Sequence, residues 1–191
     1  MDSDEIDIFL RYLIDSKTNK IRDMLSDGFN PNYTDQRNGN TALKVILGQG
    51  NLEILKLFIE SGADVNQRIN YKSRVDGREE FGYTPLFYAT EVEAIDQLIT
   101  HGADVNARAD DGETVLMRLS RSPNSLQAIQ ALVLAGADTK LQDSRGMTAL
   151  DIARKTNFTY IEVAKIDGKK PIKDALKASD EILKLLSESI E

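Results

Sequence analysis

The triplet Gly-Ala-Asp occurs three times in this chain, at Gly62-Ala63-Asp64, Gly102-Ala103-Asp104 and Gly136-Ala137-Asp138. A degenerate copy, Gly28-Phe29-Asn30-Pro31-Asn32, precedes them, and the step from Gly28 to Gly62 equals the step from Gly102 to Gly136. A second marker, Gly-x-Thr-[Ala/Pro/Val]-Leu, alternates with the first. It begins at Gly39, Gly82, Gly112 and Gly146, and the step between its threonines Thr114 and Thr148 is that same one. The step from Thr41 to Thr84 is longer, and that from Thr84 to Thr114 a little shorter. Two interleaved markers at one period mean that a single structural unit is repeated along the chain.

Each marker has a readable chemistry. An apolar helix follows each Thr, as with Ala42, Leu43, Val45, Ile46 and Leu47. Thr caps such a helix by accepting from its free N–H groups, and Pro85 suits a first turn that needs no N–H. A second helix follows, with apolar residues at helical spacing: Leu52, Leu55, Phe58 and Ile59; then Ile95, Leu98 and Ile99; then Ile129, Leu132 and Val133. The Gly of Gly-Ala-Asp ends that helix, and the Asp and Asn after it supply turn chemistry. Neither helix buries its apolar face alone, so neighbouring units must stack.

With these markers the sequence resembles the ankyrin repeat over nearly its whole length, most closely at Gly82-Tyr83-Thr84-Pro85-Leu86-Phe87-Tyr88-Ala89. The resemblance implies an all-α ankyrin-repeat solenoid of about five helix-turn-helix units with projecting hairpin loops. The expected single domain comprises an N-terminal capping unit (1–35), a repeat with an extended loop at 67–80 (36–78), repeats at 79–108 and 109–142, and a C-terminal repeat with a capping helix (143–191). One departure stands out. The histidine usual after Thr-Pro-Leu is replaced by Lys44, Phe87, Met117 and Asp151, which removes a local hydrogen-bonding group from every unit.

Breaks in the period are as informative as the period. The stretch from Asn106 to Thr114 is as long as that from Lys140 to Thr148, whereas the stretch from Asn66 to Thr84 is more than twice as long. The insertion, roughly Gln67 to Glu80, is polar and aperiodic, and is expected to project as an elongated loop or hairpin. The third unit is shorter from Thr84 to Gly102 than the second is from Thr41 to Gly62, and reads as turn variation. So does the long turn from Ser120 to Ser125. Ile6, Phe9, Leu10, Leu13 and Ile14 form one helix of the first cap; Ile21, Met24 and Leu25 form its second. At the other end, a break is expected over Phe158 to Lys170. A final helix is then expected to bury Ile172, Leu176, Leu183, Leu186 and Ile190.

Little catalytic chemistry is on offer. The absence of cysteine excludes disulfides, zinc thiolates and thiol nucleophiles. The one histidine, His101, stands at a helix end without metal-ligand spacing around it. Gly48-Gln49-Gly50-Asn51 lacks the lysine and strand of a phosphate loop, and Asp110-Asp111 reads as a pair of solvated turn acids. No catalytic, cofactor-binding or metal-binding residue is assigned, and no enzyme is expected. The net charge of −7 disfavours nucleic acid and suits a basic protein partner. No apolar run approaches the ~20 residues of a membrane span, and the acidic N-terminus is unlike a signal peptide. A cytoplasmic chain, monomeric without its partner, is expected.

The resemblance implies a contact surface on the hairpin tips of the concave face. Carried over by position, it comprises Arg37, Asn38 and Asn40; Glu80, Phe81 and Tyr83; Asp110, Asp111 and Glu113; and Ser144, Arg145 and Met147. The insertion adds Arg68, Tyr71, Lys72, Arg74 and Arg78. Phe81 and Tyr83 are either anchors for a partner or packing for the insertion. Two functions fit: an inhibitor or toxin-immunity protein that masks a basic partner, or an adaptor or host-directed effector that bridges several proteins.

Overall fold

A computed structural model describes residues 3–72, 79–166 and 173–188, and the chain divides into two compact units, Met1–Ala103 and Asp104–Glu191. Each is built from helix pairs, as the repeat requires.

The first unit starts with α1 (Ser3–Ile14) and α2 (Thr18–Ser26), which bury Ile6, Phe9, Leu13 and Ile21. Next come α3 (Ala42–Gln49) and α4 (Leu52–Glu60). The rings of Phe9, Phe29 and Phe58 meet at the centre of this end, with centroids 5.0 to 6.3 Å apart. Aromatic rings bury large areas for little entropy, so this trio fixes α1 and the turn after α2 on α4.

The insertion is an antiparallel hairpin. Strand β1 (Ile69–Lys72) pairs with β2 (Glu79–Tyr83), with Asn70 opposite Phe81 and Tyr71 opposite Glu80. The register shifts between Ile69 and Asn70, where the Gly82 N–H donates to Asn70 Oδ1 at 3.0 Å. A polar aperiodic stretch thus becomes strand because cross-strand hydrogen bonds need no apolar alternation when both faces are partly wet.

A single 3-10 turn, Pro85–Tyr88, stands where the third unit's first helix belongs, and α5 (Val92–Thr100) follows it. The expectation of a Thr-capped helix fails here alone among these Thr positions. Thr41, Thr114 and Thr148 accept from the N–H groups of Lys44, Met117 and Asp151 at 3.2, 3.3 and 3.2 Å. The buried Thr84 hydroxyl caps nothing, because the N–H three residues on, that of Phe87, closes the tighter turn by donating to the Thr84 carbonyl at 3.0 Å.

The second unit contains α6 (Val115–Leu119), a 3-10 turn over Pro123–Ser125, and α7 (Leu126–Leu134). It ends with α8 (Ala149–Ile166) and α9 (Lys173–Glu188). The break expected from Phe158 does not occur: α8 continues to Ile166, since residues 155–166 contain neither Gly nor Pro and the first breaker is Gly168. A helix stands where the final one was expected, as α9, but its buried stripe runs through Ser179, Ile182 and Leu186, so Leu183 is only half-buried. Ile172, Ile190 and the side chain of Leu176 lie outside the described residues. The exposed surface of α9 carries the i,i+4 ion pairs Lys177–Glu181 and Lys184–Glu188.

Within each unit the Asn two residues after Gly-Ala-Asp, or after its degenerate copy, ties one repeat to the next. Asn32 Nδ2 donates to the Gly62 carbonyl at 3.2 Å while its Oδ1 accepts from the Asp64 N–H at 2.6 Å. Asn66 reaches the Gly102 carbonyl at 2.8 Å. In the second unit Asn106 bonds Gly136 and Asp138 in the same way, at 3.3 and 2.7 Å. The partners are backbone groups of the turn that follows the second helix, which have no helical partner, so one side chain satisfies both. The sequence reading of these Asn residues as local turn formers misses this.

Candidate functional site

The tips that lead into Thr41 and Thr148 are each built around a buried carboxylate. Asp35 accepts from the Arg37 N–H at 2.8 Å and from Arg37 Nε at 2.9 Å, while Asn38 Nδ2 reaches its other oxygen at 3.2 Å. Asp143 repeats the design, accepting from the Arg145 and Met147 N–H groups and from the Arg145 guanidinium at 2.7 Å. Arg37 also contacts Asp7 at 3.4 Å. Burial would raise both aspartate pKa values. The hydrogen bonds outweigh it, from Arg37 at one tip and from the Met147 N–H and Arg145 at the other, and both groups titrate below the usual carboxylate range.

The sign of the pH dependence follows. A carboxyl whose folded pKa is depressed adds stability above its unfolded pKa of about 3.9, and that stability disappears as the pH falls through the folded value. Thermal unfolding followed by circular dichroism is therefore expected to give a flat Tm between pH 7 and 5 and a fall below about pH 4. Asp35→Asn is expected to lower Tm at pH 7 and to flatten that fall. An acid limb as steep as in the parent chain would rule out this role for Asp35.

The candidate residues have different environments. Arg37 is exposed but engaged on Asp35; Asn38 and Asn40 are half-buried, and the Asn40 N–H donates to Asn38 Oδ1 at 2.8 Å. Arg68 is exposed, and Lys72 and Glu80 occupy paired strand positions. Arg74 and Arg78 lie outside the described residues. Tyr83 is half-buried and stacks on Phe87 of the 3-10 turn at 4.4 Å. Phe81 is 44% exposed. Asp110, Asp111, Ser144 and Arg145 are exposed, and Met147 is half-buried. Glu113 is a correction: expected to point outward, it is buried, and Arg121 bonds its Oε1 through Nε at 3.1 Å and through Nη2. Arg121, absent from the expected set, was not legible because the pair spans a helix and its turn.

The structure joins some of these residues and leaves others apart. In the first unit the Asp35–Asn40 tip sits against β1, since a Cβ on Gly39 would overlap the Asn70 carbonyl. In the second, the Ser144 N–H donates to the Asp111 carbonyl at 2.8 Å, which joins those two tips.

Lys44 is the residue that sequence reasoning undervalued. Its Nζ lies 3.0 Å from the centroid of Tyr71 and 4.8 Å from that of Tyr88. A cation between two aromatic faces attracts both, and here it fastens the hairpin to α3. Asp151 is a second correction, for it keeps a local hydrogen bond where the resemblance implied a loss. Its Oδ2 accepts from the Thr148 hydroxyl at 2.7 Å and from the Thr148 N–H at 3.1 Å. His101 is exposed at the end of α5, with Nδ1 2.7 Å from the Gln97 carbonyl oxygen. Among the described residues no cluster of three or more His, Cys, Asp or Glu is disposed to hold a metal ion. Among them, too, no helix is long and apolar enough to cross a membrane.

Comparison with known proteins agrees with this architecture. The family described as "Ankyrin repeats (3 copies)" matches residues 10–109. The chain is 34% identical over 119 residues to the B-cell lymphoma 3 protein homolog of Mus musculus, a match covering 61% of this chain and 24% of that one. It is 31% identical over 99 residues to the ankyrin repeat-containing protein P1E11.10 of Schizosaccharomyces pombe, covering 51% and 42%. To the ankyrin repeat and SOCS box protein 6 of Homo sapiens it is 29% identical over 134 residues, covering 65% and 30%. The chain thus matches less than half the length of each of these relatives. Helix pairs at the repeat period, Thr-capped first helices, glycine-ended second helices and the match over more than half its residues show that the chain belongs to the ankyrin-repeat family.

Proposed function

We propose that this chain binds and masks a basic protein, as an inhibitor or toxin-immunity protein does, through the tips and the insertion hairpin. Ankyrin repeats form protein–protein interaction modules, and the observation that carries this reading is Phe81. An aromatic ring is 44% exposed on a hairpin that hydrogen bonds, the Lys44 contact and the Gly39 approach hold in place. A held aromatic amid polar residues is the usual anchor of an interface. The chain's charge of −7 and the exposed Asp110 and Asp111 favour a basic partner.

Affinity capture from the source organism, with the bound protein then measured by calorimetry, tests this. Phe81→Ala is expected to weaken binding about 30-fold with Tm unchanged, the effect of losing one anchor of ~2 kcal/mol. Raising the salt from about 50 to about 500 mM is expected to weaken it further, because exposed charges are screened. Unchanged affinity for Phe81→Ala removes the hairpin from the interface, and indifference to salt removes the basic partner.

A further inference from the structure

The shortening between Thr84 and Gly102 leaves a hole. The loss falls at the end of the helices remote from the hairpin. There α3 runs on to Gln49, while the matching segment of the next repeat stops after the single turn Pro85–Tyr88. The last turn of α3 therefore overhangs a notch of about 250 Å³, floored by the buried Ile46, Leu55 and Ala94 and rimmed by the exposed Gln49, Thr90 and Glu91. That volume exceeds the ~150 Å³ of a benzene-sized cavity and falls short of the ~300 Å³ at which sites for drug-sized ligands begin. It suits one long side chain.

We infer that the notch receives an arginine side chain from a partner protein. The apolar floor takes the aliphatic stem. The rim presents a carboxylate, an amide and a hydroxyl, dispersed acceptors that match the planar fork of a guanidinium better than the compact ammonium of lysine. Glu91 makes no side-chain hydrogen bond to cap α5, so its carboxylate is not used for that purpose. Charge complementarity selects the occupant: among the described residues Glu91 is the only ionisable group lining the notch, and the chain carries −7. The inference extends the interaction reading to a second surface and does not depend on the hairpin.

The test needs no natural partner. The full chain is titrated with N-acetyl-arginine-N-methylamide, and with its neutral citrulline counterpart, while backbone amides are followed by NMR. The arginine probe is expected to cause saturable shifts at Gln49–Leu52 and Thr90–Ala94, with the citrulline probe at least threefold weaker. Glu91→Gln is expected to weaken binding about threefold, as loss of an exposed ion pair does. Gly48→Leu is expected to abolish the shifts and remain folded, because Gly48 is a helical residue lining the notch with open space where a Cβ would stand. Shifts scattered over the acidic surface, equal shifts with citrulline, or persistence in folded Gly48→Leu would each overturn the assignment. Loss of partner binding in Phe81→Ala leaves this result untouched, so the two readings fail separately.

Discussion

Gly39→Ala is expected to dislodge the insertion hairpin and to lower stability by about 3 kcal/mol, or roughly 6–12 °C in Tm for a chain of this size. Two costs combine. Gly39 has φ +77°, a conformation that alanine adopts only with strain. In addition, the new Cβ would overlap the Asn70 carbonyl oxygen and lie 2.9 Å from its carbon. Both atoms are backbone, so no rotamer change relieves the clash and β1 has to move. Gly146→Ala is the control. Gly146 has φ +74°, yet a Cβ there meets nothing within 4 Å. It is expected to cost only the backbone term, about 1–2 kcal/mol. Denaturant unfolding of both variants isolates the contact, and equal losses would show that the hairpin does not press on this tip. If the hairpin carries the interface, Gly39→Ala also weakens partner binding at least as much as Phe81→Ala.

Phe58→Ala removes the ring that joins α1 and the turn after α2 to α4. Phe58 is fully buried, with its centroid 5.5 Å from Phe9 and 6.3 Å from Phe29. Deleting a buried phenyl ring costs about 3–5 kcal/mol, through lost transfer energy and the cavity left behind. In a repeat array each unit is held mainly by its neighbours, so the loss is expected to concentrate at the α1–α2 pair that Phe58 helps hold. Hydrogen exchange is expected to speed up first at the amides of α1 and α2, with α7 unaffected. Uniform acceleration across the chain would mean that the array melts as one cooperative block instead.

The period of the two markers, the caps at Thr41 and Thr114 and the apolar spacing are local properties. Each is decided within a few residues, which is why unit length and the position of the insertion were legible in the chain, although the third unit's first helix shrank to a 3-10 turn and α8 ran on through the expected break. The family followed from the same residues. Local rules failed where a partner lies outside a residue's own turn or helix. Glu113 looks like a surface acid until Arg121, past the end of α6, is brought over it. Asn32 looks like a turn former until Gly62 arrives beside it. Lys44 looks like a lost histidine until Tyr71, from the insertion beyond α4, closes over its ammonium. The short third unit read as mere turn variation, and only the neighbouring helix α3, one turn longer, makes it a notch. Sequence by itself determined the repeat and where its period breaks, because hydrogen bonds and apolar spacing within one unit suffice for that. Tertiary structure alone decided which Asn side chains tie one repeat to the next, how the hairpin is held and where a cavity opens, because stacking sets those contacts and stacking joins residues that lie about a repeat apart.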